Sequence, residues 1–202
     1  MLSLKLQDVF VAINMTNEDW AVSQSAPTML AGLYLQNPDH FKSFVPILHK
    51  YLLACCWKRK SFIPQKALRD GLRGATKWIE REITDKEFWK LERDAETEAF
   101  MFENIETAEE ISALKNLISG VDELQEASYE TSVEILKMAA YFTDSAMVYP
   151  SLSSVPYDES LFTSKMLCPH LLREFLQPRF HNKPREGSLD LVANNSRANS
   201  EI

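Results

Sequence analysis

Glycine is scarce in this chain, with 5 in 202 residues. Tight hairpins use backbone conformations with φ > 0 that glycine adopts most readily, so a many-stranded architecture lacks its usual turn residues. Cysteine is scarce too. Cys55, Cys56 and Cys168 are an odd number with one vicinal pair. That excludes a disulfide framework and points to a reducing cytoplasm, where the sequons at Asn14 and Asn194 carry no meaning. No apolar run approaches the roughly 20 residues needed to span a bilayer, so no membrane partner is expected. Met1–Phe10 sets Lys5 and Asp8 inside its apolar part and makes a poor signal peptide. Positive charge is in deficit as well. A net charge of −7 opposes bulk attraction to nucleic acid or anionic lipid.

The marks of linear catalytic chemistry are also missing. His40, His49, His170 and His181 are scattered, and none forms the His-Glu-x-x-His pattern of a helical zinc site. Cys168-Pro-His170 brings two metal-ligand types together, but a structural zinc needs about four. Cys55-Cys56 lies in an apolar run and reads as buried structural thiols. Ser112-x-x-Lys115 has the spacing of a serine–lysine nucleophile without its companion motifs. The chain has no Gly-x-Ser-x-Gly elbow, no phosphate-binding Gly-Lys loop and no dinucleotide fingerprint. No catalytic residue, metal or cofactor is therefore expected.

What is present is helix. Apolar residues make up 45% and charged residues 25%, ordinary values for a folded soluble chain. Thr84-x-x-Glu87, Thr107-x-x-Glu110 and Asp122-x-x-Gln125 each precede an apolar-periodic run. In such a box the first side chain accepts from a first-turn amide and the fourth residue reaches back. Residues 2–14 read as helix, with strand as the alternative. A short helix forms around Trp20. Pro27 suits a first turn that turns Met29, Leu30 and Leu33 inward, and Asn37-Pro38-Asp39 breaks that element. Ser43 is placed to cap the next helix, along which Phe44, Leu48, Leu52 and Cys55 recur. Lys58-Arg59-Lys60 complements its C-terminal dipole.

Pro64 opens another helix with Leu68, Leu72, Ala75 and Ile79 on one face. Gly71 and Gly74 in its middle imply close helix–helix approach. A long helix follows from Asp85 to Glu103, with Phe88, Leu91, Ala95 and Phe102 on its stripe. Ile111, Leu114 and Ile118 mark a short helix that Gly120 closes. From Asp122 the residues Leu124, Ala127, Thr131, Ile135, Met138, Phe142 and Ala146 keep the helical period. The segment 150–156 reads as a loop and a soft boundary. A last helix carries Leu161, Cys168, Leu172 and Phe175, kinked or split at Pro169. Leu171, Leu172, Phe175 and Leu176 pack inward there, and Arg173 and Glu174 point outward. The expected architecture is an all-α irregular bundle or array of about 6–8 helices in one domain over 1–180. Residues 181–202 have little to bury and are expected to be a disordered tail.

Two charge features remain. Arg69, Arg73, Lys77 and Arg81 recur every four residues as a basic stripe, diluted by Asp70, Glu80 and Glu82. The acidic feature is stronger. Between Glu92 and Glu130 stand twelve acids against Arg93 and Lys115, a formal −10. Glu92, Glu96, Glu103, Glu106, Glu110, Glu123, Glu126 and Glu130 are the candidate protein-binding residues of that face. Complementary charge speeds encounter and rejects wrong partners, so a basic protein is the expected partner.

Several short landmarks resemble a group of bacterial helical proteins, abundant in planctomycetes, with no established function. They are Asn17-Glu-Asp-Trp20, Pro27-Thr-Met-Leu30, Cys55-Cys56-Trp57 before Arg59-Lys60, and Leu171-Leu-Arg-Glu-Phe-Leu-Gln-Pro178. That resemblance implies an all-α fold and no particular activity. Ala67-Leu-Arg-Asp-Gly-Leu and Ala75-Thr-x-Trp78 are similar to helical immunity proteins that accompany bacterial toxins. Many such toxins are basic nucleases, which agrees with an acidic docking face. The expectation is a non-enzymatic, cytoplasmic, protein-binding module. Its alternative is an enzyme or small-ligand binder with a site assembled from several helices. That alternative requires a pocket of roughly 300–1,000 Å³ with convergent polar groups.

Overall fold

The computed structural model describes residues 15–36, 38–101, 112, 129–152, 159–178 and 180. Among them every regular element is helical. The expectations for residues 2–14, for the boxes at Thr107 and Asp122, for the helix around Leu114 and for the tail lie outside the described residues.

Helix α1 (Asn17–Val22) begins at a capping box absent from the expectations above. Thr16 Oγ1 accepts from the Asp19 amide at 3.1 Å, and the Asp19 carboxylate takes the Thr16 amide at 3.0 Å. Helix α2 (Ala26–Gln36) has Pro27 in its first turn and buries Met29, Leu30 and Leu33 as the pattern requires. Helix α3 (Pro38–Phe41) and the 3₁₀ turn Lys42–Phe44 lead directly into α4 (Val45–Lys58). Ser43 does not cap α4. Its hydroxyl turns back to donate to the His40 carbonyl at 2.6 Å, because the 3₁₀ turn already carries the chain into the helix. Leu48, Leu52 and Cys55 lie fully inside.

Helix α5 (Lys66–Ile79) starts two residues after Pro64, and α6 (Asp85–Phe100) starts at the expected Thr84–Glu87 box. The two helices share the most extensive packing among the described elements. Trp78 stacks on Phe88 with ring centroids 4.8 Å apart. Gly74 lies against Leu91, and Gly71 against Ala95. As one number falls the other rises, so the pair is antiparallel. The two glycines are what lets the backbones approach.

Helix α7 (Tyr129–Leu152) crosses α4, α5 and α6. One expectation holds in part here and one fails. On the predicted line Phe142 and Ala146 are buried and Ile135 and Met138 are half-buried against the core, while Thr131 is exposed; the inward face is broader and also holds Ser132, Leu136, Ala139, Ala140, Thr143 and Met147. Three neighbouring helices cover more of α7 than one stripe. Small residues let them close in, and Thr143 satisfies its hydroxyl on the Ala139 carbonyl at 2.7 Å. Pro150 also does not end the helix, which runs on to Leu152. Proline has no N–H for the Ala146 carbonyl. The His49 ring lies against the carbonyls of Met147 and Ala146, so this exposed end of the ladder meets a polar neighbour.

The last helix is two pieces, α8 (Glu159–Phe162) and α9 (Pro169–Phe175), separated by residues 163–168, with Pro169 as the first residue of α9. Leu172 and Leu176 are buried, with Leu171 and Phe175 packed beside them. Arg173 points inward, contrary to expectation. Its guanidinium donates to the Ser23 carbonyl at 2.7 Å and the Trp20 carbonyl at 3.4 Å. The end of α1 leaves carbonyls unsatisfied, and a cation meets them. Asn17 and Phe180 exchange two hydrogen bonds, and Trp20 packs against the Phe180 ring at 5.6 Å. One buried cluster, from Met15 to Phe180, draws on all nine of these helices.

Candidate functional site

Of the acidic candidates, Glu103, Glu106, Glu110, Glu123 and Glu126 lie outside the described residues. Glu130 falls in the first turn of α7, and only its backbone is described. Glu92 and Glu96 stand on α6. The inner face of α6 is Phe88, Ala95 and Ala99, with Leu91 beside them. The helical period places Trp89, Arg93, Glu96 and Phe100 on one flank of α6, with Glu92 between that flank and the inner face and the Phe100 ring centroid 6.0 Å from that of Tyr141 on α7. Trp89 is 63% exposed and Phe100 47% exposed, large values for aromatic side chains.

Asp144 on α7 joins this acidic group. Burial pushes its carboxyl up to about 6, and the charges of Glu92 and Glu96 push the same way. Glu92 is raised by its own burial and by Glu96, with Arg93 opposing. Asp144 Oδ1 is buried without a hydrogen-bond partner among the described residues. The sequence reading missed Asp144, since it lies beyond the acid-rich stretch and has no neighbouring acid.

The basic stripe does not answer these carboxylates. Arg69 is half-buried and donates to the Ile63 carbonyl at 2.8 Å and to that of Pro64, holding the turn before α5. Arg73 pairs with Asp70 at 2.6 Å and lies 5.9 Å from the Trp57 ring centroid. Lys66 pairs with Asp70 as well, and these cations hold the Asp70 carboxyl below its ordinary range, Lys66 most strongly. Lys77 is exposed on α5. Among the described residues, both ion pairs use Asp70.

Arg81 leaves the stripe altogether. It sits past the end of α5 with φ 61°. The Glu82 amide donates to the Lys77 carbonyl at 2.8 Å and the Arg81 amide to that of Trp78 at 3.0 Å. This double closure normally carries glycine or asparagine at its left-handed residue. An arginine there costs about 1–2 kcal/mol of backbone strain.

Beside Arg81 opens a pocket of about 640 Å³. Val45, Pro46 and His49 of α4 line one side, and Trp78 and Ile79 of α5 another. The turn adds Ile83, α6 begins there with Asp85, and Pro150 closes the α7 end. The Trp78 indole N–H donates to Asp85 Oδ1 at 2.7 Å. His49 is buried and its Nε2 donates to the Met147 carbonyl at 3.1 Å. Burial lowers its pKa to about 4, against the raising effect of the Met147 and Ala146 carbonyls, so the ring is neutral at pH 7.

The three thiols are all buried, and burial pushes Cys55 up to about 12. A thiol held protonated is a poor nucleophile. Among the described residues, no group of three or more His, Cys, Asp and Glu side chains could hold a metal ion. None of the described helices is long and apolar enough to cross a membrane. No protein-family model, curated protein or solved structure matches this chain.

Proposed function

We propose that this protein is a non-enzymatic binding module that docks a basic protein on the exposed flank of α6 that carries Trp89. The observation that carries the reading is the exposed Trp89, set on one stripe with Glu96 and Phe100. Aromatic anchors ringed by polar groups dominate the energy of protein interfaces. The acids beside them, Glu92, Glu96 and Asp144, are drawn together although like charges repel. A basic partner relieves that repulsion on binding and is steered to the face at long range. The likeness to immunity proteins points to the same class of partner, a basic toxin-like domain. The acids from Glu103 to Glu130 extend the charge of the same stretch of sequence.

The test compares the wild type with Trp89→Ala and with the double variant Glu92→Gln/Glu96→Gln, each immobilised and exposed to lysate at low and high salt. One basic protein is expected on the wild type at low salt, released by salt as the charges are screened. Purified, that protein should bind Trp89→Ala weaker by about 2 kcal/mol or more. Equal binding to all three proteins contradicts the proposal, and so does the absence of any salt-released basic protein.

A further inference from the structure

The pocket at the α5–α6 turn carries a second inference, independent of the Trp89 flank of α6. Its walls are apolar and aromatic, through Val45, Trp78, Ile79 and Ile83. Its volume of about 640 Å³ suits a small molecule. Its charged lining is one residue of each sign, Arg81 and Asp85, and the two are not paired with each other. Asp85 is oriented by the Trp78 indole through Oδ1, and Oδ2 has no partner among the described residues. The Arg81 side chain has no hydrogen bond among the described residues either.

The sign pattern narrows the ligand. A simple anion would leave Asp85 opposing it. A simple cation would leave Arg81 opposing it. A molecule with both charges at one end and an apolar body satisfies the whole lining. His49 on the α4 side is neutral and adds no charge at pH 7. The left-handed backbone at Arg81 is a further clue. Strain of that kind persists where the surroundings enforce it and clusters at ligand-holding positions.

We propose that this pocket binds an apolar α-amino acid, with its carboxylate on Arg81, its ammonium on Asp85 and its side chain against Trp78, Ile79 and Ile83. Charge-assisted hydrogen bonds at both ends distinguish it from analogues with one charge.

The experiment titrates the full chain with L-phenylalanine and L-leucine, followed by calorimetry and thermal shift. 3-Phenylpropanoate and 2-phenylethylamine serve as analogues that keep one charge each. Arg81→Gly is the main variant, because glycine suits φ 61° and the variant should fold at least as well as the wild type. Asp85→Asn is the second. Either amino acid is expected to bind the wild type and raise its melting temperature. Both analogues should bind at least about tenfold weaker. Arg81→Gly should melt higher without ligand yet lose at least about tenfold in affinity, as should Asp85→Asn. Trp89→Ala should bind like the wild type. The proposal is overturned if neither amino acid binds, if an analogue binds as tightly as the amino acid, or if Arg81→Gly retains full affinity.

Discussion

Gly71 and Gly74 look alike in the sequence and differ in what surrounds them. A Cβ on Gly71 would lie 2.6 Å from Met147 Sδ and 3.0 Å from the Ala95 Cβ. The methionine tip can move, but the Ala95 Cβ is fixed to the backbone of α6. A Cβ on Gly74 would meet Leu91 Cδ1 at 2.6 Å, and the rest of that side chain lies at 3.4 Å or beyond. A leucine end can turn away. Gly71→Ala is therefore expected to destabilise by about 1–3 kcal/mol through overpacking. Gly74→Ala should be near neutral, because a helix gains about 1 kcal/mol from the alanine itself. Chemical denaturation of the two variants checks the order. Sequence spacing was enough to predict close approach at both positions. It could not rank them, since the ranking depends on residues from two other helices. The inward turn of Arg173 escapes the sequence for a similar reason. Its partners are carbonyls about 150 places earlier, and a charged residue on a short helix looks solvated until that contact is known.

Among the elements, those with local punctuation were the readable ones. Thr84–Glu87 starts α6 where the box placed it, and Pro169 opens α9. Helix α7 was less legible. Its burial follows from contacts with α4, α5 and α6, so one line of residues, with Phe142 and Ala146 buried on it, defines only part of its inner face. Its passage through Pro150 also has no local signal, and the ring that meets the carbonyls there comes from position 49, about a hundred residues earlier. The junction of α1 with α9 gives an element-scale prediction. Arg173→Ala removes bonds to the Ser23 and Trp20 carbonyls and should cost about 1–3 kcal/mol. Amide exchange should speed up in Asn17–Val22 and Pro169–Phe175 while the α5–α6 pair stays protected. Uniform acceleration across the chain would show that the arginine supports the whole core instead.

At the scale of the whole molecule, one core is combined with an unbalanced charge distribution. The all-α class was legible from composition and period, and the described helices share a single buried cluster. The candidate face was legible only in part. The acid count singled out Glu92 and Glu96, but Trp89, Phe100 and Asp144 entered through burial and exposure, which a linear charge tally does not see. Two buried groups then set opposite pH responses. His49 holds its pKa at about 4, below the usual histidine value of about 6.5, so its contribution to stability falls as pH drops through that interval. Asp144 holds its pKa at about 6, above the ordinary carboxylate value. Its ionised form is disfavoured in the fold, so stability is lower above pH 6 and recovers as pH falls through it.

The claim that these acids are gathered against the interest of the fold rests on Asp144, and its neutral isostere tests it. The measurement is the unfolding free energy of the wild type and Asp144→Asn from pH 4 to pH 8, at low and at high salt. The variant should be the more stable at pH 7, with the gap narrowing below about pH 6 and in high salt. A variant less stable than the wild type at pH 7 would mean that the carboxylate is satisfied within the chain, and that the acidic face belongs to the fold and not to a partner.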